Sequence, residues 1–448
     1  MNKGTATILQ KNVDALRIAA ASARISTQQG TALEIYENSL GGEKDIHLVK
    51  KVLSSGHKSV IEHQTFSIAF DNVSVLVEQF MIEFRLASFT VKSRRYVDFS
   101  KAGYVVPETL PERLVPAYNL RMVQLFDLYT ELIHAGVPKE DARFVLPYCF
   151  RSNFYVSCNA RELINIICSM AYGRGSRFPE IKALGLSLEE QFSSLYPGVI
   201  DREKGRYAAC LPQRLPEQYE VGQSVHIQPY LIEATENAEE TLEMAMRFSG
   251  RFAAGEQRYL TAENLLKLVR DARPRELEMI NYTFRIENAS LACLTHFSRH
   301  RMLSLLLPNI EEALASGCYV MPESIAGNPD LRDKYTAAFH RQAMIVTNMV
   351  KEGMSREDAA YYAMAGHTVD FFLTMNGREL LHFLKLRTCS RAQWEIRAAA
   401  QDMLEQLQDH EPMVFRAFGP SCAVDGTCPE GRLSCGNPQK LSIQPGNA

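Results

Sequence analysis

"NYTFRIENASLACLTHFSRHRMLS", residues 281 to 304, decides how this chain is read, because "TFSIAFDNVSVLVEQFMIEFRLAS" at 65 to 88 is a divergent copy at an offset of 216. Asn72 falls on Asn288, Ser74 on Ser290, Arg85 on Arg301, Ser88 on Ser304, and Asp71 on Glu287. Farther on, "SCNAREL" (157 to 163) falls on "TMNGREL" (374 to 380) at an offset of 217, pairing Asn159 with Asn376, Arg161 with Arg378 and Glu162 with Glu379. An offset that drifts by a single residue over such a span marks a tandem duplication. The expected division is a repeat at 1–222, a repeat at 223–420 joined near "YEVGQS", and a tail at 421–448.

The local patterns agree between the halves. Helical periodicity in "DIHLVKKVLSSG" and "AENLLKLVRDA" precedes a short alternating strand, "TFSIAF" or "YTFRIE". An "NVS" or "NAS" step then places Ser74 or Ser290 at an N-cap before a long apolar helix that runs into the basic motif. The fold class expected is α+β and helix-rich, with one strand group per repeat and the repeats packed as a pseudo-dimer.

Bulk properties narrow the function. With 46% hydrophobic and 23% charged residues among 448, the chain has globular composition and ample core material. The net charge of -3 supplies no global basic field for nucleic acid, so an anionic ligand must be held by local clusters. The N-terminus lacks a signal-like apolar region, and no segment approaches a membrane span, so a cytoplasmic location is expected. Cys149, Cys158, Cys168, Cys210, Cys293, Cys318 and Cys389 are scattered singly, which suits reduced thiols. Cys422, Cys428 and Cys435 cluster in the Gly/Pro-rich tail. They offer three thiolates for zinc or an iron–sulfur cluster, with a disordered tail as the equal alternative.

Several short motifs carry chemistry. "SRHRMLS" sets Arg299 and Arg301 on different helical faces around His300, able to grip two anionic groups; alone, it reads as a solvated basic helix end. "KSRRY" (92 to 96) offers hydroxyl and guanidinium donors for a phosphate, or simply a charged turn. In "KLRTCSRAQWEIR" (385 to 397), Arg387 sits in a turn where it can stabilise charge on a substrate, whereas Trp394 reads as packing. Glu62 and His63 precede the first repeat's strand. Dinucleotide, P-loop, zinc-protease and hydrolase-elbow motifs are absent.

Together these stretches resemble the flavin-dependent thymidylate synthases, twice over nearly the full length. That family carries an RHRxxSxNxxSxRY signature, an EHxxFxF segment and a C-terminal NxRxxxxFLxLRxxxxAQxEI pattern. "SVIEHQTFSIAF" and "SFTVKSRRYV" match in the first repeat, "SRHRMLS" and "NGRELLHFLKLRTCSRAQWEIR" in the second. The resemblance implies methylation of dUMP at C5, with methylenetetrahydrofolate as carbon donor, FAD as hydride carrier and NADPH as reductant. It implies Arg387 as the catalytic group; Ser93, Arg94, Arg95, Arg143, His296 and Arg299 at the nucleotide; and His63, Arg299, His300, Arg301, Asn159, Arg161, Asn165, Asn376 and Arg378 at the flavin. It also implies a homodimer that reproduces the family's four-lobed tetramer.

The departures from the signature are complementary. The first repeat has Glu83-Phe84 where the second has Arg299-His300, and Met170 where the second has Arg387. The second repeat has Asn309, Glu311 and Glu312 where the first has Ser93, Arg95 and Tyr96, and Ala360 where the first has Arg143. In the family, one subunit supplies the phosphate side of a site and its partner the base side. The expectation is therefore one composite site per chain, the other silenced by Glu83, Glu311 and Glu312. Two further readings stay open: methylation of a different pyrimidine nucleotide, since His296 stands where the family has Gln, and a non-catalytic flavin- or nucleotide-binding paralogue.

Overall fold

The computed structural model describes residues 3–9, 14–208, 215–252 and 259–441. Strands β1 (Thr5–Ile8), β2 (Thr65–Ser74), β3 (Ser88–Val91) and β4 (Arg151–Asn159) form an antiparallel sheet in the order β1-β2-β4-β3. A short parallel pair joins β5 (Ser224–Val225) to β9 (Tyr319–Val320). Strands β6 (Gln228–Ala234), β7 (Asn281–Ser290), β8 (Ser304–Leu306) and β10 (Thr368–Asn376) repeat the first topology as β6-β7-β10-β8, again antiparallel. Helices cover these sheets, and the α+β class holds.

The duplication extends to individual bonds. Asn72 and Asn288 have φ of 55° and 57°, a left-handed conformation that asparagine tolerates better than most residues. Their N–H groups donate to Asn153 Oδ1 at 2.8 Å and to Asp370 Oδ1 at 2.9 Å, beside register shifts in both β2–β4 and β7–β10. This bulge turns the chain into the serine cap. Ser74 Oγ accepts from Val77 N–H at 3.3 Å and Ser290 Oγ from Cys293 N–H at 2.9 Å.

Each capping serine is in turn held by a carboxyl, half-buried Glu180 in the first repeat and buried Glu395 in the second. Glu180 receives Ser74 N–H at 2.9 Å and its hydroxyl at 2.7 Å; Glu395 receives Ser290 N–H at 2.8 Å and its hydroxyl at 2.5 Å. At the sheet edges, Gln191 bonds the N–H of Ile8 and the C=O of Ala6, and Gln406 bonds the N–H of Leu231 and the C=O of Pro229. A side-chain amide thus supplies both donor and acceptor to an edge strand.

Two features differ from the sequence reading. The helices after the caps are short, Val75–Ile82 and Leu291–Phe297, so Arg299–Arg301 occupies a turn before β8 rather than helical faces. The chain divides into two compact units, Met1–Glu220 with Ser324–Ala365, and Val221–Glu323 with Gly366–Ala448. The first unit therefore includes the helix Pro329–Lys351, which a cut at 222/223 assigns to the second repeat. Arg121, on the helix Val115–His134, reaches it there, donating to Gln342 Oε1 and Ala338 O, both at 2.6 Å.

Among the described residues, Cys149, Cys158, Cys168 and Cys293 are free and buried, and Cys318 and Cys389 are free and half-buried. Cys210 lies outside the described residues. No helix among the described residues is long and apolar enough to cross a membrane. Replacing Glu395 with Ala strands two buried donors on Ser290, so it should lower stability by about 2 kcal/mol or more. Urea unfolding of Glu395→Ala against wild type measures this, read as a lower midpoint at unchanged slope.

Candidate functional site

In the second unit, the residues expected at the base side converge on one imidazole. The turn after Leu291–Phe297 buries His300, whose ring lies 5.0 Å from Phe383 and 5.5 Å from His382, centroid to centroid. His300 Nδ1 is 3.1 Å from Glu379 Oε1, and Arg387 Nε donates to His300 Nε2 at 2.9 Å. Another guanidinium nitrogen of Arg387 donates to the backbone oxygen of His296 at 3.4 Å. Burial, reinforced by the Arg387 charge, holds the His300 pKa below its ordinary value, against the opposing pull of Glu379. The Arg387 bond requires an unprotonated Nε2, so the ring is a neutral imidazole in this arrangement. Arg299 and Arg301 flank it at the exposed surface, and His296 is buried in the preceding helix.

In the first unit, the residues expected at the phosphate side gather around Glu140. Arg95 pairs with its carboxylate at 2.6 Å, and Arg143 Nε donates to its backbone oxygen at 3.0 Å. Ser93 Oγ accepts from Arg95 N–H at 3.3 Å, which shapes the turn. Two guanidinium groups brought together at Glu140, with a hydroxyl in the Arg95 turn, suit a phosphate. Arg94, expected at the nucleotide, turns inward. It is buried, ion-paired to Glu78, whose other oxygen accepts from Ser152, and its guanidinium anchors the loop from behind.

The counterpart positions are refilled. In the first repeat Phe84 and Met170 are buried where the second has His300 and Arg387, and Phe80 is buried where it has His296. Glu83 pairs with Arg174 at 2.6 Å, and Arg174 lies over the Phe80 ring at 4.5 Å. In the second repeat the loop of Ser93–Tyr96 is replaced by the start of the helix Ile310–Ser316, with Glu311 and Glu312 in its first turn. Acidic residues there favour the helix dipole and disfavour an incoming anion.

The flavin-side candidates divide. Asn159 and Asn376 use their side-chain oxygens to cap helices at Glu162 and Glu379 N–H, both at 2.9 Å, and retain an NH2 group to offer a ligand. Arg161 pairs with Glu62 and Arg378 with Glu278, each at 2.6 Å, with guanidinium side chains 53% and 41% exposed. His63 is exposed in the turn before β2. These donors fit the anionic portions of a flavin nucleotide. Asn165 does not join them: Tyr207 donates to its oxygen at 2.5 Å, and its NH2 donates to Glu162 at 3.3 Å.

The tail cysteines do not assemble. Cys428 and Cys435 are exposed and Cys422 half-buried, and no group of three His, Cys, Asp or Glu residues able to hold a metal occurs among the described residues. Sequence reasoning overlooked three carboxylates: Glu78, Glu140 and Glu379. Only the duplicated "REL" hinted at the last, since a short acidic side chain in a helix's first turn ordinarily reads as a dipole effect.

The family model for thymidylate synthase complementing protein matches residues 7–198 and 230–413, one match per repeat. A flavin-dependent thymidylate synthase of Geobacter sulfurreducens is 36% identical over 163 residues, covering 36% of this chain and 70% of that protein. Another from Clostridium tetani is 28% identical over 243 residues, covering 49% of this chain and 97% of that protein. A solved UMP/dUMP methylase, PolB from Streptomyces cacaoi, aligns at a TM-score of 0.38 and 19% identity, covering 46% of this chain and 96% of its own, a likeness too distant to carry an argument. With a family match on each sheet-bearing repeat, the chain belongs to the thymidylate synthase complementing protein family, the flavin-dependent thymidylate synthases, as two tandem copies.

Proposed function

We propose that the protein methylates dUMP at C5, taking the carbon from methylenetetrahydrofolate and reducing equivalents from NADPH, with FAD as cofactor. The observation that carries the reading is the split retention of the signature. The first repeat keeps Ser93, Arg95 and Arg143, and the second keeps Arg299, His300, Arg301 and Arg387. Family membership and this complementarity support one nucleotide site drawn from both repeats, in a homodimer. The retained Arg387, held by His300, favours an enzyme over a binding-only paralogue.

When bound, the flavin supplies hydride chemistry; Asn376, Arg378, Arg301 and His63 are the residues suited to hold it. Arg95 and Arg143 would fix the nucleotide phosphate and so set where the pyrimidine lies. Arg387 would donate to a pyrimidine carbonyl as negative charge builds there, a stabilisation realised mainly in the transition state. No metal step enters this account, and the tail cysteines have no part in it.

Two substitutions test the division of labour. Arg95→Ala removes a charge-assisted bond and should raise the dUMP Kd by roughly ten- to a hundredfold, with bound flavin retained, as titration calorimetry reads it. Loss of flavin with intact nucleotide binding contradicts the assignment. Arg387→Ala should lower kcat by about 10²–10³ while the flavin absorbance stays, measured by tritium release from C5-labelled dUMP.

A further inference from the structure

We propose that Glu379 is a positioning residue for Arg387: its carboxylate fixes the His300 imidazole in one tautomer, and the ring then holds the Arg387 guanidinium in one direction. The proposal rests on the reading of Arg387 as the charge-stabilising group at the pyrimidine.

The donor rules leave a single arrangement. A guanidinium has donors only, so the His300 Nε2 that meets Arg387 Nε at 2.9 Å must be the acceptor. The ring proton then sits on Nδ1, 3.1 Å from Glu379 Oε1, and a carboxylate is an acceptor suited to it. The side chains of His300 and Glu379 are only 2% and 8% exposed, so water competes poorly for either bond. Phe383 and His382, edge-on to the ring, limit its rotation. The same logic holds in catalytic triads, where a buried carboxylate selects the histidine tautomer.

The duplication supplies an internal comparison. Glu162 occupies the matching position, its N–H capped by Asn159 just as Glu379 N–H is capped by Asn376. With Phe84 in place of His300 and Met170 in place of Arg387, Glu162 has no imidazole to orient and accepts from Asn165 instead. The backbone setting is shared; the Glu–His–Arg line occurs only in the repeat that keeps Arg387.

The groups that face His300 are Glu379, Arg387 and His382 on the helix Gly377–Arg387, with Arg299 and Arg301 beside it in its own turn. Protonating His300 removes the acceptor that Arg387 uses. Because the folded-state pKa is depressed, the working neutral form persists below the ordinary value of about 6.5 and is lost only as pH falls through that lowered pKa. An acid limb in kcat should lie below that ordinary value.

The experiment combines ¹⁵N-histidine NMR with kinetics on Glu379→Leu and Glu379→Gln, using His300→Gln to assign the His300 signals. In wild type at pH 7.5, His300 should be the neutral Nδ1–H tautomer. Glu379→Leu should lose that single tautomer and lower kcat by about 10- to 100-fold with KM for dUMP little changed, since only the aim of Arg387 is disturbed. Glu379→Gln should shift the acid limb of kcat to lower pH, because the carboxylate that favours the imidazolium is gone; a loosened structure would rehydrate the ring and shift the limb to higher pH instead. Glu162→Gln should turn over like wild type. An Nε2–H or protonated His300 in wild type, or a folded Glu379→Leu with wild-type kcat, overturns the proposal. If wild type fails to methylate dUMP, the functional reading falls, whereas the His300 tautomer still decides the contact itself.

Discussion

A serine hydroxyl and N–H donated together to one carboxyl, once per repeat, is the constraint on which the rest depends. Ser74 with Glu180, and Ser290 with Glu395, join three things at a point: the end of the long strand, the start of the apolar helix, and the first turn of a distant helix. In the first unit Tyr361 adds a third donor to Glu180 at 2.9 Å. Buried polar groups are tolerated only when satisfied, and these sites are fully engaged. The cap fixes where the helix begins, and therefore where the turn carrying Glu83 or Arg299 must fall.

Divergence acted around this fixed frame by exchanging whole groups. Glu78, Arg94 and Ser152 form a buried ionic cluster in the first repeat, while the matching positions in the second are Leu294, Ile310 and Val369. Removing one member of a buried ion pair leaves an uncompensated charge, a loss of about 3–5 kcal/mol, whereas replacing all members by apolar residues is often neutral. The cluster persists where it backs the Ser93–Arg95 loop and is absent where that loop has become the helix Ile310–Ser316. Phe84 and Met170 are the reciprocal case, closing with hydrocarbon the place where His300 and Arg387 remain polar.

How much of this was legible in the sequence follows from range. Strands β2 and β7, the serine caps and the NxREL helices were readable because period and capping are local. Edge strands β1 and β6 were not, since they depend on Gln191 and Gln406 from helices far along the chain. The arginines of the candidate site were legible as motif letters, but their geometry was not. Arg94 and Arg95 are adjacent, yet one turns to buried Glu78 and the other to Glu140. The helix Pro329–Lys351 joins the first unit through contacts such as Arg121–Gln342, which no repeat alignment reveals.

The proposed specialisation of the repeats into complementary halves gives each chain one nucleotide site rather than two. The direct measurement is the stoichiometry of dUMP bound to the flavin-loaded full-length chain by titration calorimetry. The account predicts one nucleotide per chain, lost on Arg95→Ala at concentrations that saturate wild type. Two nucleotides per chain, or one whose affinity ignores Arg95→Ala, would contradict it.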